Sequence, residues 1–194
     1  MAGGKYRRRD GALGLTLVEL MVTLAIVAVG AAIAAPSFRG MIADSRLSAQ
    51  ANDLLASLKY TRSEAVKRNA RVTICKKASD ATCAVTATAT ASWQGGWLVF
   101  VDGGVAGTLD GADTILRVQG PLAASTLVGD GAVTNYVSYI GNGQTSAAAG
   151  GTQVGTFSLC DPLAGTKRKK IAVTQGSGWV GVTTVAAAAS CTAS

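Results

Sequence analysis

Residues 14–36 read GLTLVELMVTLAIVAVGAAIAAP, an apolar run interrupted by one acid, Glu19. From Leu15 to Ala35 there are 21 residues with a single charge. As a helix rising ~1.5 Å per residue they span roughly 31 Å, close to the thickness of a hydrocarbon core. Just ahead stand Lys5, Arg7, Arg8 and Arg9, which the positive-inside rule keeps in the cytoplasm, sending everything after Pro36 outward. A carboxylate at membrane depth costs a few kcal/mol, and an acid retained there marks a partner.

A cleaved secretory signal would also join a basic leader to an apolar run, and AAIAAP at 31–36 has the look of its small-residue cleavage site. Glu19 and the length of the run argue against that reading. They favour an anchor that stays on the mature chain.

The 194 residues are 48% hydrophobic, enough for one ordinary core once the anchor is set aside. Of the formal net charge of +7, the leader residues Lys5, Arg7, Arg8 and Arg9 against Asp10 supply +3, leaving +4 from residue 11 onward. There is no histidine, which removes the commonest general base, the Ser-His and Cys-His nucleophile pairings and the commonest metal ligand. With no nucleophile-base constellation in view, no enzyme, cofactor or metal is expected. The four cysteines, Cys75, Cys83, Cys160 and Cys191, contain no CxxC pair, so two disulfides in an exported domain fit better than zinc or a thioredoxin-like motif. Spacing suggests Cys75 with Cys83 and Cys160 with Cys191; the other two connectivities stay open at this point.

After Pro36, apolar residues at Phe38, Met41, Ile42, Ala49, Ala51, Leu54, Leu55, Leu58, Ala65 and Val66 keep a mostly three-and-four spacing that predicts an amphipathic helix to about Asn69. Arg46, Asp53, Lys59, Arg62, Lys67 and Arg68 lie largely off that stripe. Strand-like segments follow at 71–75, 97–101, 115–119, 136–140, 156–160, 170–174 and 179–183, separated by Gly, Asn and Asp clusters. Low-complexity tracts at 84–92, 146–151 and 186–190 read as loops. The expected class is α+β, a long N-terminal helix packed on antiparallel sheet. Its parts are a leader at 1–14, a transmembrane half-helix at 15–35, an amphipathic half-helix at 36–69 and a β-rich head at 70–194.

The segment Gly14-Leu15-Thr16-Leu17-Val18-Glu19-Leu20-Met21, with Pro36 downstream, resembles the type III signal of type IV pilin-like proteins. That resemblance implies a pilin-like fold, cleavage after Gly14 by a membrane prepilin peptidase and methylation of the new amine at Leu15. Leu15 departs from the phenylalanine usual at that position. In low dielectric a carboxylate at Glu19 is strongly attracted to such an amine on a neighbouring subunit, which makes it a register device for assembly. Further along, Arg62-Ser63-Glu64-Ala65-Val66-Lys67-Arg68, Ile74-Cys75 with Cys83, Trp93 with Gly96-Trp97-Leu98-Val99-Phe100 and Asp102, and Leu159-Cys160-Asp161 resemble the GspH/FimT family of minor pilins and pseudopilins. The likeness covers nearly the whole chain. It leans toward the type IV pilus members, FimT or FimU, and keeps the GspH-type pseudopilin of type II secretion as the alternative. The partners implied are other major and minor pilins or pseudopilins, the prepilin peptidase and the inner membrane, with the head in the periplasm.

Basic charge outside the leader gathers in two clusters, Lys59, Arg62, Lys67, Arg68, Arg71, Lys76 and Lys77, then Lys167, Arg168, Lys169 and Lys170. Clustered cations invite a DNA reading, set against a solvated face and a guarded strand edge. The resemblance implies DNA uptake for some members through C-terminal basic residues. This chain has GSGWVGV at 176–182 where relatives place arginines. Trp179 is expected in the core; exposed, it would offer a stacking face. Asp102, Asp110 and Asp113 share a Gly-rich loop, but their spacing does not match an EF-hand, and turn-forming aspartates are the commoner case.

Overall fold

The computed structural model describes residues 16–84, 91–161, 167–174 and 178–186, with the backbone alone at 34–37. Helix α1 runs from Leu17 to Arg68, and Pro36 falls within it. It ends where Asn69 takes a left-handed φ of 48° and the Ala70 N–H donates to the Ala65 carbonyl at 3.2 Å. That arrangement satisfies a carbonyl the helix would otherwise leave open.

The chain divides into two compact units at Phe38 and Arg39. In the first, the helix exposes its apolar side chains on all sides. Among the described residues no single helix is long and apolar enough to cross a membrane; Leu17–Ile33 and Phe38–Arg68 pass that test together, by length and composition.

The second unit holds two antiparallel sheets. Strands β1 (Val72–Ser79), β2 (Thr82–Cys83), β3 (Trp97–Val101), β4 (Thr114–Val118) and β6 (Tyr136–Tyr139) form one. Within it β1 pairs with β2, β3 and β6, while β4 adds to β3. The other sheet has the order β5 (Thr126–Gly129), β7 (Gly155–Cys160), β8 (Lys167–Val173), β9 (Val180–Ala186). The class inferred from the sequence is thus the observed one. β2 and β5 escaped the sequence reading, the first because it is two residues long and the second because Thr126–Gly129 is short and ends on glycine.

Both sheets contribute to one core with α1. The helix inserts Ala43, Leu47, Ala51, Leu54, Leu58 and Ala65, meeting Val72, Ile74 and Val99 from the first sheet and Leu127, Phe157 and Ile171 from the second. Each fully buried Leu, Ile, Val or Phe among them contributes about 1.5–3 kcal/mol. Trp93 adds an edge-to-face contact with Phe157, ring centroids 4.9 Å apart, and its indole N–H donates to the Thr134 carbonyl at 2.9 Å. The stripe expected from the sequence needs correction: Phe38, Met41, Ile42 and Val66 are exposed, while Ala43 and Leu47 carry the buried seam. Steps of three and four from Ala43 define a face turned away from those four residues.

β1 and β3 are buried on both faces. The side opposite the helix holds a smaller cluster of Cys75, Leu98 and Phe100, with Cys83, Leu109 and Tyr136 against it. The Cys75–Cys83 disulfide closes a loop with a sequence separation of 8. Removing a cross-link over so short a loop costs about 2–3 kcal/mol in the chain-entropy account. The Cys75→Ala/Cys83→Ala variant should therefore melt about 5–10 °C lower in a thermal scan; an unchanged midpoint would show that the bridge restrains little.

Candidate functional site

The first turn of α1 carries a feature the sequence reading passed over. Thr16 Oγ1 accepts the Glu19 N–H at 3.2 Å, and the Thr16 carbonyl accepts the Leu20 N–H at 3.1 Å. Thr16 is the N-cap and Glu19 the third helical residue. The Thr-x-x-Glu pattern, legible in the sequence, is that of a capping box. The same position places a carboxylate where the helix dipole favours it. Gly14 and Leu15 lie outside the described residues, and so does the Pro36 side chain.

Of the cysteines, Cys75 and Cys83 are joined to each other. Cys160 is disulfide-bonded as well, and Cys191 lies outside the described residues.

The run Lys167 to Lys170 forms the start of β8, so its side chains alternate between faces. Lys167 and Lys169 share the face of buried Ile171 and Val173; Arg168 and Lys170 take the other. Lys167 forms an ion pair with Asp44 of α1, and Lys169 Nζ donates to Thr184 Oγ1 on β9 at 2.7 Å. Close by, Arg46 of α1 binds Asp161, which follows β7, through Nε at 2.9 Å and through Nη2. These two ion pairs fasten the second sheet to the helix.

The first basic cluster is dispersed too. The Arg68 guanidinium, 2.7 Å from Glu64, holds that carboxyl below the usual range. Arg71 donates to the Ser146 carbonyl at 2.9 Å, and Lys77 pairs with Asp80 at 2.7 Å. Burial lowers the pKa of Lys76.

Three members, Lys59, Arg62 and Lys67, instead line a cleft of about 520 Å³ together with Val66, Gly178 and Trp179. Trp179 is 58% exposed, contrary to the core position expected from the sequence. The reason is strand periodicity: the adjoining Val180, the first residue of β9, is the side chain turned inward.

The aspartate loop serves itself. Asp113 Oδ1 accepts the Gly103 N–H at 2.8 Å, and its Oδ2 the Asp110 N–H at 2.8 Å. Asp110 accepts from Val105 at 2.8 Å and Ala112 at 2.9 Å, and these bonds hold its carboxyl below the usual range. Asp102 Oδ2 accepts from Thr73 Oγ1 at 2.6 Å and the Gly107 N–H at 2.7 Å. Burial pushes its carboxyl upward against those bonds. Among the described residues no group of three or more His, Cys, Asp or Glu side chains is placed to hold a metal.

Residues 10–35 match the prokaryotic N-terminal methylation motif, and residues 50–178 match the family described as type II transport protein GspH. The chain belongs to the GspH family. No curated protein matches it. In fold, this GspH-family chain is similar to the type IV minor pilin FimU of Pseudomonas aeruginosa in two crystal forms. One gives a TM-score of 0.52 at 21% identity, covering 72% of this chain and 90% of that one. The other gives 0.51 at 20% identity, covering 71% and 92%. The helix and sheets of the GspH-family chain therefore make up a pilin fold, in agreement with the resemblance read from its motifs.

Proposed function

We propose that the mature chain begins at Leu15 and serves as a minor pilin that helps initiate or cap a type IV pilus. Its apolar helix would be held in the inner membrane and then in the filament, with its head in the periplasm. The observation that carries this reading is the first segment: a methylation motif over residues 10–35 leading into a capped helix whose apolar side chains are exposed all round. A helix apolar on every side needs lipid or other helices around it. The Cys75–Cys83 disulfide fits an oxidising compartment. Similarity in fold to FimU, a type IV minor pilin, supports the pilus over the secretion machine.

Intact-mass and N-terminal analysis of the protein from its native membrane tests the reading. The expected result is a chain starting at methylated Leu15. A chain starting near Pro36 would overturn it and leave a secreted soluble domain.

The family description, type II transport protein GspH, favours a second reading, a pseudopilin of type II secretion. A deletion strain that loses exoprotein secretion but keeps twitching would select it. The case for DNA uptake through Lys167, Arg168, Lys169 and Lys170 has weaker support, because the run is split between two faces of β8 and Lys167 is paired with Asp44. Its signature would be binding that falls steeply with salt and weakens when those charges are removed.

A further inference from the structure

The geometry points to the cleft between α1 and the β8–β9 hairpin as a docking site for an acidic peptide segment bearing a bulky apolar side chain, presented by the head of a neighbouring filament subunit. The identity of that neighbour rests on the minor-pilin reading; the chemistry of the cleft does not.

The cleft is built into the fold. Arg62 Nε donates to the Gly143 carbonyl at 2.9 Å, tying α1 to the loop after β6. Gly143 has a φ of +78°, and a Cβ there would stand 3.2 Å from both Arg62 Nε and Val66 Cγ2. Gly178, at φ +60°, sits so near that loop that its Cβ would meet the Gly143 carbonyl oxygen at 2.5 Å and Tyr139 Cε1 at 3.0 Å. Two glycines in left-handed conformations thus let helix, loop and hairpin close on one another. Trp179 is held at the rim by this contact, and its carbonyl accepts the Thr174 N–H at 3.0 Å. A preformed cleft spares a ligand the cost of ordering it.

Its chemistry selects the ligand. Val66, 51% exposed, and Trp179 give apolar surface, and both sit where a partner's side chain would cover them. Tryptophan and arginine are the residues most enriched among binding hot spots. Every charged residue lining the cleft is cationic: Lys59, Arg62 and Lys67. Lys67 meets Glu64 only at 3.4 Å, whereas Arg68 takes the closer contact at 2.7 Å. Apolar surface set beside cationic side chains matches an apolar side chain flanked by carboxylates.

Nucleic acid fits less well, since a polyanion is gripped by cations spread along a track. Lys167 is tied to Asp44, about 22 Å along the helix from Lys59 at ~1.5 Å per residue, so that cation does not extend the cleft into a track.

The test is photocrosslinking in the native host, with Ser63→p-benzoylphenylalanine in the full-length chain and sequencing of the captured peptide. Ser63 lines the cleft and is exposed. The expected adduct is a net-negative segment of another pilin-type subunit containing Leu, Ile, Phe or Trp. Its yield should fall at least tenfold with Lys59→Glu/Lys67→Glu, and also with Trp179→Ala. It should return when the captured acids are changed to lysine in the charge-reversed background. Lys59 and Lys67 are exposed and the ion pair given up is the 3.4 Å contact of Lys67 with Glu64, so the charge-reversed chain should melt within about 3 °C of the wild type, which separates loss of docking from misfolding. Adducts to nucleic acid or lipid would overturn the proposal, as would a yield indifferent to charge reversal or no adduct from a chain recovered in filaments. An acidic adduct from a protein outside the filament would sustain the cleft's specificity while overturning the minor-pilin reading.

Discussion

Arg46→Met should lower the stability of the head by about 3 kcal/mol, the low end of the cost of removing one member of a buried ion pair. The Asp161 side chain is 0% exposed and Arg46 28%. Methionine fills much of the arginine stem's volume but withdraws the guanidinium from a carboxylate shielded from solvent. At about 2–4 °C per kcal/mol for a domain of this size, the thermal midpoint should drop by about 6–12 °C. The double variant Arg46→Met/Asp161→Leu should recover most of that loss, because the penalty belongs to a buried charge that has lost its cation and not to the absence of the pair. Thermal unfolding followed by circular dichroism measures both. A single variant that melts within 2 °C of the wild type would mean that Asp161 is stabilised by other groups and that the clasp between α1 and β7 is dispensable. Lys167→Met should do far less, since the Asp44 pair is partly in solvent and exposed pairs contribute about 0–1 kcal/mol.

That contrast bears on how legible the molecule was in its sequence. The apolar helix and its acid could be read directly, because a long apolar run with one carboxylate has few physical explanations. The α+β class followed from the change of period at Arg68, where three-and-four spacing gives way to short strand runs. The face of the helix was less legible. Met41, Ile42 and Val66 are as hydrophobic as Leu47 and Leu54, and periodicity alone allows a stripe through either set. The packing of the two sheets decides for Ala43, Leu47, Ala51, Leu54 and Leu58, and a small residue such as Ala43 signals close approach without announcing it.

The candidate sites show the same limit. Consecutive cations at 167–170 look like a patch in one dimension, but a strand sends neighbours to opposite faces, and distant partners such as Asp44 and Thr184 cannot be seen from within the run. The reverse holds for the cleft. Lys59, Arg62 and Lys67 are more than a hundred residues from Trp179, and nothing local in GSGWVGV says that Gly178 lies against Gly143. Only the capping box at Thr16 and Glu19 was present as a short motif and went unread.

That capping box shapes the second large effect, expected at Glu19. An acid at the third helical position has a local use, since a side chain there can reach back to the helix start; glutamine serves that purpose nearly as well. Attraction to a methylated amine on a neighbouring subunit needs the negative charge, and glutamine lacks it. Glu19→Gln therefore separates the two roles, which Glu19→Ala removes together. We expect the glutamine variant to be processed after Gly14 and retained in the membrane at wild-type levels, yet to fall at least tenfold in sheared filaments, as deeply as the alanine variant. Quantitative immunoblotting of membrane and filament fractions reads both pools. If Glu19→Gln assembles normally and only Glu19→Ala fails, the carboxylate works as a cap for its own helix, and the pairing between subunits must be sought elsewhere on the apolar face. The charge account is favoured beforehand because a neutral amide would cap the helix without the cost of placing an acid in lipid, a cost of a few kcal/mol. The chain carries the acid, and in this account a charged partner would make that cost recoverable on assembly.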